Sequence, residues 1–310
     1  MKNVKMSFDK LRTALSDGLL SFPITDMDKN GEFNAATYAE RLKWFMAHEI
    51  TAVFVAGGTG EFFSLSRGEY QKVIQTAVQE VKGQLPVISS IGRSIPEAVE
   101  FAKMAEEAGI DGLLLMPPYL TESPKEGVVS YARTIMQSTR LPVIYYNRSN
   151  GVLSAGHIRK LADDCPNLIG LKDGTGNMQD LNDTIKTVGD RLVYIGGVPT
   201  AEIISEAYLS IGVNTYSSAV FNFVPDLAVK YYKALRGGDR ETVAAIIRDF
   251  FIPFVRLRSK KAGYAVSLIK AGAALAGRSG GDVRAPLVMP DAEEIGILQG
   301  LIEVAEGLSE

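Results

Sequence analysis

Apolar and β-branched residues gather in eight short runs, beginning near Leu19, Ala52, Pro86, Gly112, Pro142, Leu168, Leu192 and Asn214, roughly 20 to 35 residues apart. Runs this short and this uniformly apolar predict strands buried on both faces. Between them, apolar residues recur at i, i+3 and i+4, which predicts helices over 35–47, 67–81, 96–108, 125–138, 155–163, 178–188 and 201–209. Strands that alternate with helices pair in parallel through right-handed crossovers. Eight such units close into an α/β (β/α)8 TIM barrel, which takes about 250 residues. A doubly wound open sheet is the competing arrangement, but it usually has fewer strands.

Beyond residue 224 the strand pattern stops, and helical periodicity covers 225–235, 240–257, 264–276 and 292–307. No proline-rich or glycine-serine linker separates this part. The expectation is therefore a barrel over 1–235, opened by a short amphipathic helix within 1–15, with a C-terminal helical extension over 236–310 packed against it.

Composition removes several kinds of chemistry. With 310 residues and 46% of them hydrophobic, a large core is available. The formal charge is −3 and basic residues are scattered, so no nucleic-acid footprint is expected. The lone cysteine, Cys165, cannot form an internal disulfide. There is no leader pattern and no run of about 20 apolar residues, so the chain is expected to be cytoplasmic, with no membrane association. His48 and His157 are the only histidines, which leaves little material for a zinc site or a Cys–His pair. The chemistry must rest on Lys, Tyr, Ser, Thr, Asp, Glu or backbone groups.

Reacting groups in such barrels sit at the carboxyl ends of the strands, and there the sequence is unusual. The sixth run, Leu168-Ile169-Gly170-Leu171, ends in Lys172, followed by Asp173-Gly174-Thr175-Gly176. An amine held against apolar surface loses its charge more easily, and a neutral amine attacks a ketone to form a Schiff base. Tuning it from 10.4 to about 7–8 takes about 4 kcal/mol of environmental bias. Taken alone, such a lysine fits a solvent-pointing side chain as well. The second run ends in Gly57-Gly58-Thr59-Gly60-Glu61, whose amides and threonine hydroxyl could cradle an anion or simply form a tight turn. The fifth ends in Tyr145-Tyr146-Asn147-Arg148. Neighbouring strands lie about 4.8 Å apart, so an inward tyrosine could reach Lys172 and move protons, or serve only as a core aromatic. Gly197 closes the seventh strand, Ser217 and Ser218 end the eighth, and Asn222 comes just after. These signals converge on one rim.

Taken together, the three motifs resemble the dihydrodipicolinate synthase/N-acetylneuraminate lyase superfamily of class I aldolases and dehydratases. Gly57-Gly58-Thr59-Gly60-Glu61, Tyr146-Asn147 and Gly170-Leu171-Lys172-Asp173 stand in the order and spacing of its signatures. The resemblance implies that Lys172 forms the Schiff base with a 2-oxo acid, Tyr146 shuttles protons, and Gly58 with Thr59 binds the carboxylate beside the ketone. It further implies a dimer or tetramer. There are departures. Gly58 stands where synthases have threonine. Pro118-Tyr119-Leu120 lacks their second tyrosine, and Arg148-Ser149-Asn150-Gly151 lacks their proline and arginine. The segments are most similar to the branch that dehydrates and decarboxylates a small 2-oxo sugar diacid. The expectation is thus a Schiff-base lyase needing no cofactor and no metal. Arg148 is the first candidate for the distal carboxylate and Arg93 the second, while Gly197, Ser217, Ser218 and Asn222 are candidates for the rest of the substrate. A 2-keto-3-deoxy sugar-acid aldolase, a dihydrodipicolinate synthase-like enzyme and a sugar-acid-binding regulator are the alternatives.

Overall fold

The computed structural model describes residues 8–119 and 121–310. Its eight strands are β1 (Leu20–Ser21), β2 (Ala52–Val55), β3 (Val87–Ile91), β4 (Gly112–Leu115), β5 (Val143–Asn147), β6 (Leu168–Asp173), β7 (Val193–Gly196) and β8 (Ser217–Ser218). All neighbouring pairs are parallel, in the order β7-β6-β5-β4-β3-β2-β1-β8. A parallel bridge between Gly196 and Tyr216 joins the two ends. The sheet is thereby a closed barrel, as the alternation of strands and helices predicts.

Around it run α1 (Phe8–Ser16), α2 (Ala35–Met46), α3 (Arg67–Val81), α4 (Ile95–Ala108), α5 (Lys125–Gln137), α6 (Ala155–Asp164), α7 (Met178–Val188) and α8 (Ser205–Ser210). The chain ends in α9 (Pro225–Gly237), α10 (Arg240–Ile246), α11 (Ile252–Arg258), α12 (Tyr264–Leu275) and α13 (Ala292–Ser309). The first seven residues of the expected N-terminal helix lie outside the described residues. The helices start where the sequence supplies caps. Ser66 before α3 and Ser94 before α4 form capping boxes with Glu69 and Glu97. Each helix then turns a stripe inward, as α3 does with Tyr70, Val73, Ile74, Ala77 and Val81. Each of the valines and the isoleucine among them contributes about 1.5–3 kcal/mol on burial.

Three expectations are corrected in detail. The eighth strand begins at Ser217 rather than near Asn214, because Thr215 donates its hydroxyl to Gly18 and the Asn214 carbonyl accepts from Tyr232. The helix expected over 201–209 is a 3-10 turn, Ala201–Ile204, followed by α8. There the Glu202 carbonyl accepts from the Tyr231 hydroxyl. The helix expected over 240–257 carries a π segment, Ile247–Phe251, between α10 and α11. Pro253 lacks an amide hydrogen, and the ladder widens just before it.

The terminal helices cover the rim. α12 buries Lys270 completely, with its ammonium 2.6 Å from the equally buried carboxylate of Glu61. Past α12, Arg284 donates its amide to the other oxygen of Glu61. Nearby, Arg41 grips Asp26 with two hydrogen bonds and donates a third to the Arg278 carbonyl. The loop after β2 is thus held by Lys270 and Arg284 of the C-terminal segment. No helix among the described residues is long and apolar enough to cross a membrane.

Candidate active site

At the carboxyl ends of the strands lies a cavity of about 370 Å³. Gly58, Thr59, Tyr146, Arg148, Lys172, Gly197 and Ser217 all line it. The barrel's parallel register explains why. Tyr146 is the direct partner of Lys172 across β5 and β6, with Asn147 opposite Asp173. Consecutive strand residues face opposite ways. Tyr145 accordingly turns outward and donates to the Gly151 carbonyl, while Tyr146 turns inward.

The Lys172 ammonium sits 4.1 Å from the Phe22 ring centre and 4.6 Å from that of Tyr146, and only 5% of the residue is exposed. Burial, and then the charge of Arg148, bring its pKa down to about 7. The side chain can lie there because position 197 is glycine. A Cβ at Gly197 would stand 2.5 Å from Lys172 Cγ and 2.6 Å from its Cε.

Tyr146 donates its hydroxyl to the Gly197 carbonyl at 2.8 Å and accepts from Arg148 Nη1 at 2.9 Å. Burial raises its pKa, and the Arg148 guanidinium pulls in the opposite direction. Arg148 fits against the tyrosine because Gly174 has no side chain, whose Cβ would meet Arg148 Cβ at 2.7 Å. On the other side of the barrel, the amides of Gly58 and Thr59 donate to no acceptor among the described residues. A Cβ at Gly58 would meet nothing within 4 Å, so its departure from threonine leaves open space.

Three of the candidates face elsewhere. Asn222 is wholly buried beneath the rim, accepts from the Ile24 amide and donates to the carbonyls of Phe22 and Ala219. Its amide is consumed in bracing β1 against the turn after β8, so its expected contact with substrate is corrected to a structural one. Ser218 is also fully buried and donates to the carboxyl of Glu202 at 2.8 Å. The two adjacent serines point to opposite faces, and only Ser217 lines the cavity. Arg93 is likewise displaced from the role of second arginine. It is stacked on Phe62 and Phe101 and donates to the carbonyls of Phe62 and Leu65.

The structure also gives roles to residues to which motif reading assigned none. Asp173 is buried and accepts from the amides of Thr175 and Gly176 and from the hydroxyls of Thr175 and Tyr208. It sets the turn that follows Lys172. Phe254, Arg258, Ala265, Val266 and Ile269 reach the cavity from the terminal helices. No strand-end motif points to them. Among the described residues no group of three or more His, Cys, Asp or Glu is arranged to hold a metal ion.

Comparison with known proteins agrees with the fold. A model of the dihydrodipicolinate synthetase family matches residues 15–304. A Rhizobium meliloti (strain 1021) protein named "Probable 5-dehydro-4-deoxyglucarate dehydratase" is 49% identical over 97% of this chain and 99% of its own length. A protein of the same name from Acinetobacter baumannii (strain AB307-0294) is 49% identical, covering 90% and 92%. Among solved structures, dihydrodipicolinate synthase from Bacillus clausii superposes with a TM-score of 0.88 at 26% identity, covering 96% of this chain and 99% of that one. By the match along nearly its whole length, the chain belongs to the dihydrodipicolinate synthetase family.

Proposed function

We propose that this protein is a Schiff-base lyase that converts 5-dehydro-4-deoxy-D-glucarate to 2,5-dioxopentanoate, water and carbon dioxide, in glucarate and galactarate catabolism. The observation that carries the reading is a buried lysine amine of lowered pKa beside Tyr146, in a cavity lined by two arginines and no acidic side chain. A 2-oxo diacid matches that charge, and the name shared by relatives at 49% identity fits the same chemistry.

Lys172, as the free amine, adds to the C5 ketone. The Tyr146 hydroxyl protonates the departing oxygen, leaving a phenolate beside the Arg148 guanidinium. The iminium acidifies C4–H, and the phenolate takes that proton. The resulting enamine expels the C3 hydroxyl, which leaves as water with the proton returned by Tyr146. The double bond between C3 and C4 now conjugates with the iminium. The C1–C2 bond breaks, its electrons flow through C3 and C4 to the nitrogen, and carbon dioxide departs. The remaining enol becomes the C2 aldehyde by moving its proton to C3, and solvent supplies the proton for C4. Hydrolysis frees Lys172. The dianionic substrate becomes a monoanion, so each turnover consumes one proton. One electron sink serves both bond cleavages.

In this proposal Gly58 and Thr59 receive the carboxylate beside the ketone. Arg148 keeps the Tyr146 phenolate in reach and faces the substrate, Gly197 gives Lys172 room, and Ser217 meets a substrate hydroxyl. We extend the proposal to a cytoplasmic homo-oligomer, to be checked by light scattering on the eluting protein.

The test is incubation with 5-dehydro-4-deoxyglucarate and analysis of the products. Formation of 2,5-dioxopentanoate and carbon dioxide supports the reading. Pyruvate release would instead mean C3–C4 cleavage, the aldolase alternative, and binding without turnover would mean a sugar-acid-binding protein.

A further inference from the structure

We infer that Arg258, supplied by α11, is the specificity-determining ligand of the distal carboxylate of a 2-oxo diacid in this cavity. The inference rests on the 2-oxo acid reading of the site and adds to it the group that recognises the far end.

Arg258 is half-buried in the cavity wall, outside every sequence motif of the rim. Its Nη1 is fixed by two neutral acceptors, the Pro199 carbonyl and the Thr200 hydroxyl, each at 2.6 Å. Thr200 holds a left-handed conformation, φ 55°, and presents that hydroxyl from the loop after β7. Among the described residues no carboxylate lies within ion-pairing distance of Arg258, whereas Arg41 and Arg284 pair with carboxylates and Arg93 is held by two carbonyls. One face of the guanidinium is thus anchored, and the one carboxyl that acts on it, Glu202, is buried, bound by the Ser218 hydroxyl and pushed up to about 7, so Arg258 has no direct ion pair, which is the state of a preorganised anion ligand.

Placement agrees. In an eight-strand ring β2 and β6 are opposite one another. A substrate with its first carboxylate on the Gly58–Thr59 loop and its ketone at Lys172 therefore extends outward on the β6–β7 side, where Arg258 stands on the β7 loop. Arg148 is the other guanidinium on this wall, but it stands at the reacting end, donating to the Tyr146 hydroxyl and acting on the Lys172 amine. The distal carboxylate is accordingly assigned to Arg258 and the support of Tyr146 to Arg148.

Borohydride trapping of three keto acids separates these roles without requiring turnover. 2-Oxoadipate has the six-carbon diacid skeleton, 2-oxohexanoate lacks its distal carboxylate, and pyruvate tests Lys172 alone. The unaltered protein should reach half-maximal trapping with 2-oxoadipate at about 10- to 100-fold lower concentration than with 2-oxohexanoate. Arg258→Gln should erase that preference and leave pyruvate trapping unchanged, whereas Arg258→Lys should retain part of it. If Arg258→Gln does not trap pyruvate, Arg258→Met, which keeps the packed stem, carries the same comparison. A diacid preference that survives loss of the guanidinium, or its absence from the unaltered protein, overturns the inference. Failure to form 2,5-dioxopentanoate would remove the dehydratase reading while leaving this preference standing.

Discussion

At the scale of the residue, Lys172 and Arg148 are an electrostatic pair of like sign. Burial and the guanidinium both favour the free amine, so the amine fraction rises as pH climbs through about 7. The rate of Schiff-base formation should fall about tenfold per pH unit below that point. Arg148→Gln removes one of the two causes, and the acidic limb of kcat/KM should move to higher pH. A limb that stays in place would show that burial alone sets the amine. The same substitution should weaken catalysis through Tyr146, whose hydroxyl loses its charged neighbour. Tyr146→Phe is expected to slow turnover by at least about 100-fold, with Lys172 still trapped by pyruvate but more slowly; an unchanged rate would remove the tyrosine from proton transfer. That one tyrosine faces Lys172 was legible in the sequence, because strand alternation turns one of the pair inward beside an adjacent strand end, and the family motif pointed to Tyr146. The separation of Ser217 from Ser218 was not. The same alternation applies there, but nothing in the string told which of the two faces the cavity. Asn222 was misread for a related reason, since a buried amide that ties three backbone groups together looks like any rim asparagine until its neighbours are seen.

At the scale of the element, the ends of β2 and β7 depend on what lies behind them. Gly197→Ala would drive a methyl group into Lys172 Cγ and Cε. The lysine must then move by about 1 Å, and trapping and turnover should both drop by about 100-fold. Normal activity in that variant would show that the lysine has another position to occupy. The loop after β2 rests on the Glu61–Lys270 pair, both side chains fully buried. Removing one partner leaves an uncompensated buried charge, so Lys270→Met should destabilise the protein by about 3–5 kcal/mol in urea melts. Glu61→Gln together with Lys270→Met should recover part of that loss, whereas two additive losses would argue against direct coupling. This support was hidden from sequence reading. Glu61 was recognised only as the end of a loop motif, and its partner lies in a helix more than two hundred residues later. The strand and helix periods survived well because burial on one stripe or both faces governs them locally. They failed at 201–209 and within 240–257, where a tertiary hydrogen bond and Pro253 redirect the backbone.

At the scale of the whole molecule, a chain of net charge −3 concentrates positive charge at the one place where its proposed substrate reacts. Arg148 and Arg258 converge there from β5 and α11, with no acidic side chain among the lining residues. A field of this kind attracts a dianion more than a monoanion and is screened within about 8–10 Å by ordinary salt. Raising ionic strength should therefore lower kcat/KM for the diacid more steeply than the rate of pyruvate trapping. Parallel slopes would deny the cavity its selective attraction. The terminal helices are part of the active site in this account, since they bring Arg258 to the cavity and Lys270 to the loop beneath the substrate. The most direct test of the central claim is intact mass and peptide mapping after borohydride reduction in the presence of 5-dehydro-4-deoxyglucarate. The account predicts a single adduct on Lys172 with the mass of the dehydrated, decarboxylated chain, and none in Lys172→Ala. An adduct on another lysine, or product formed at an undiminished rate by Lys172→Ala, would contradict it.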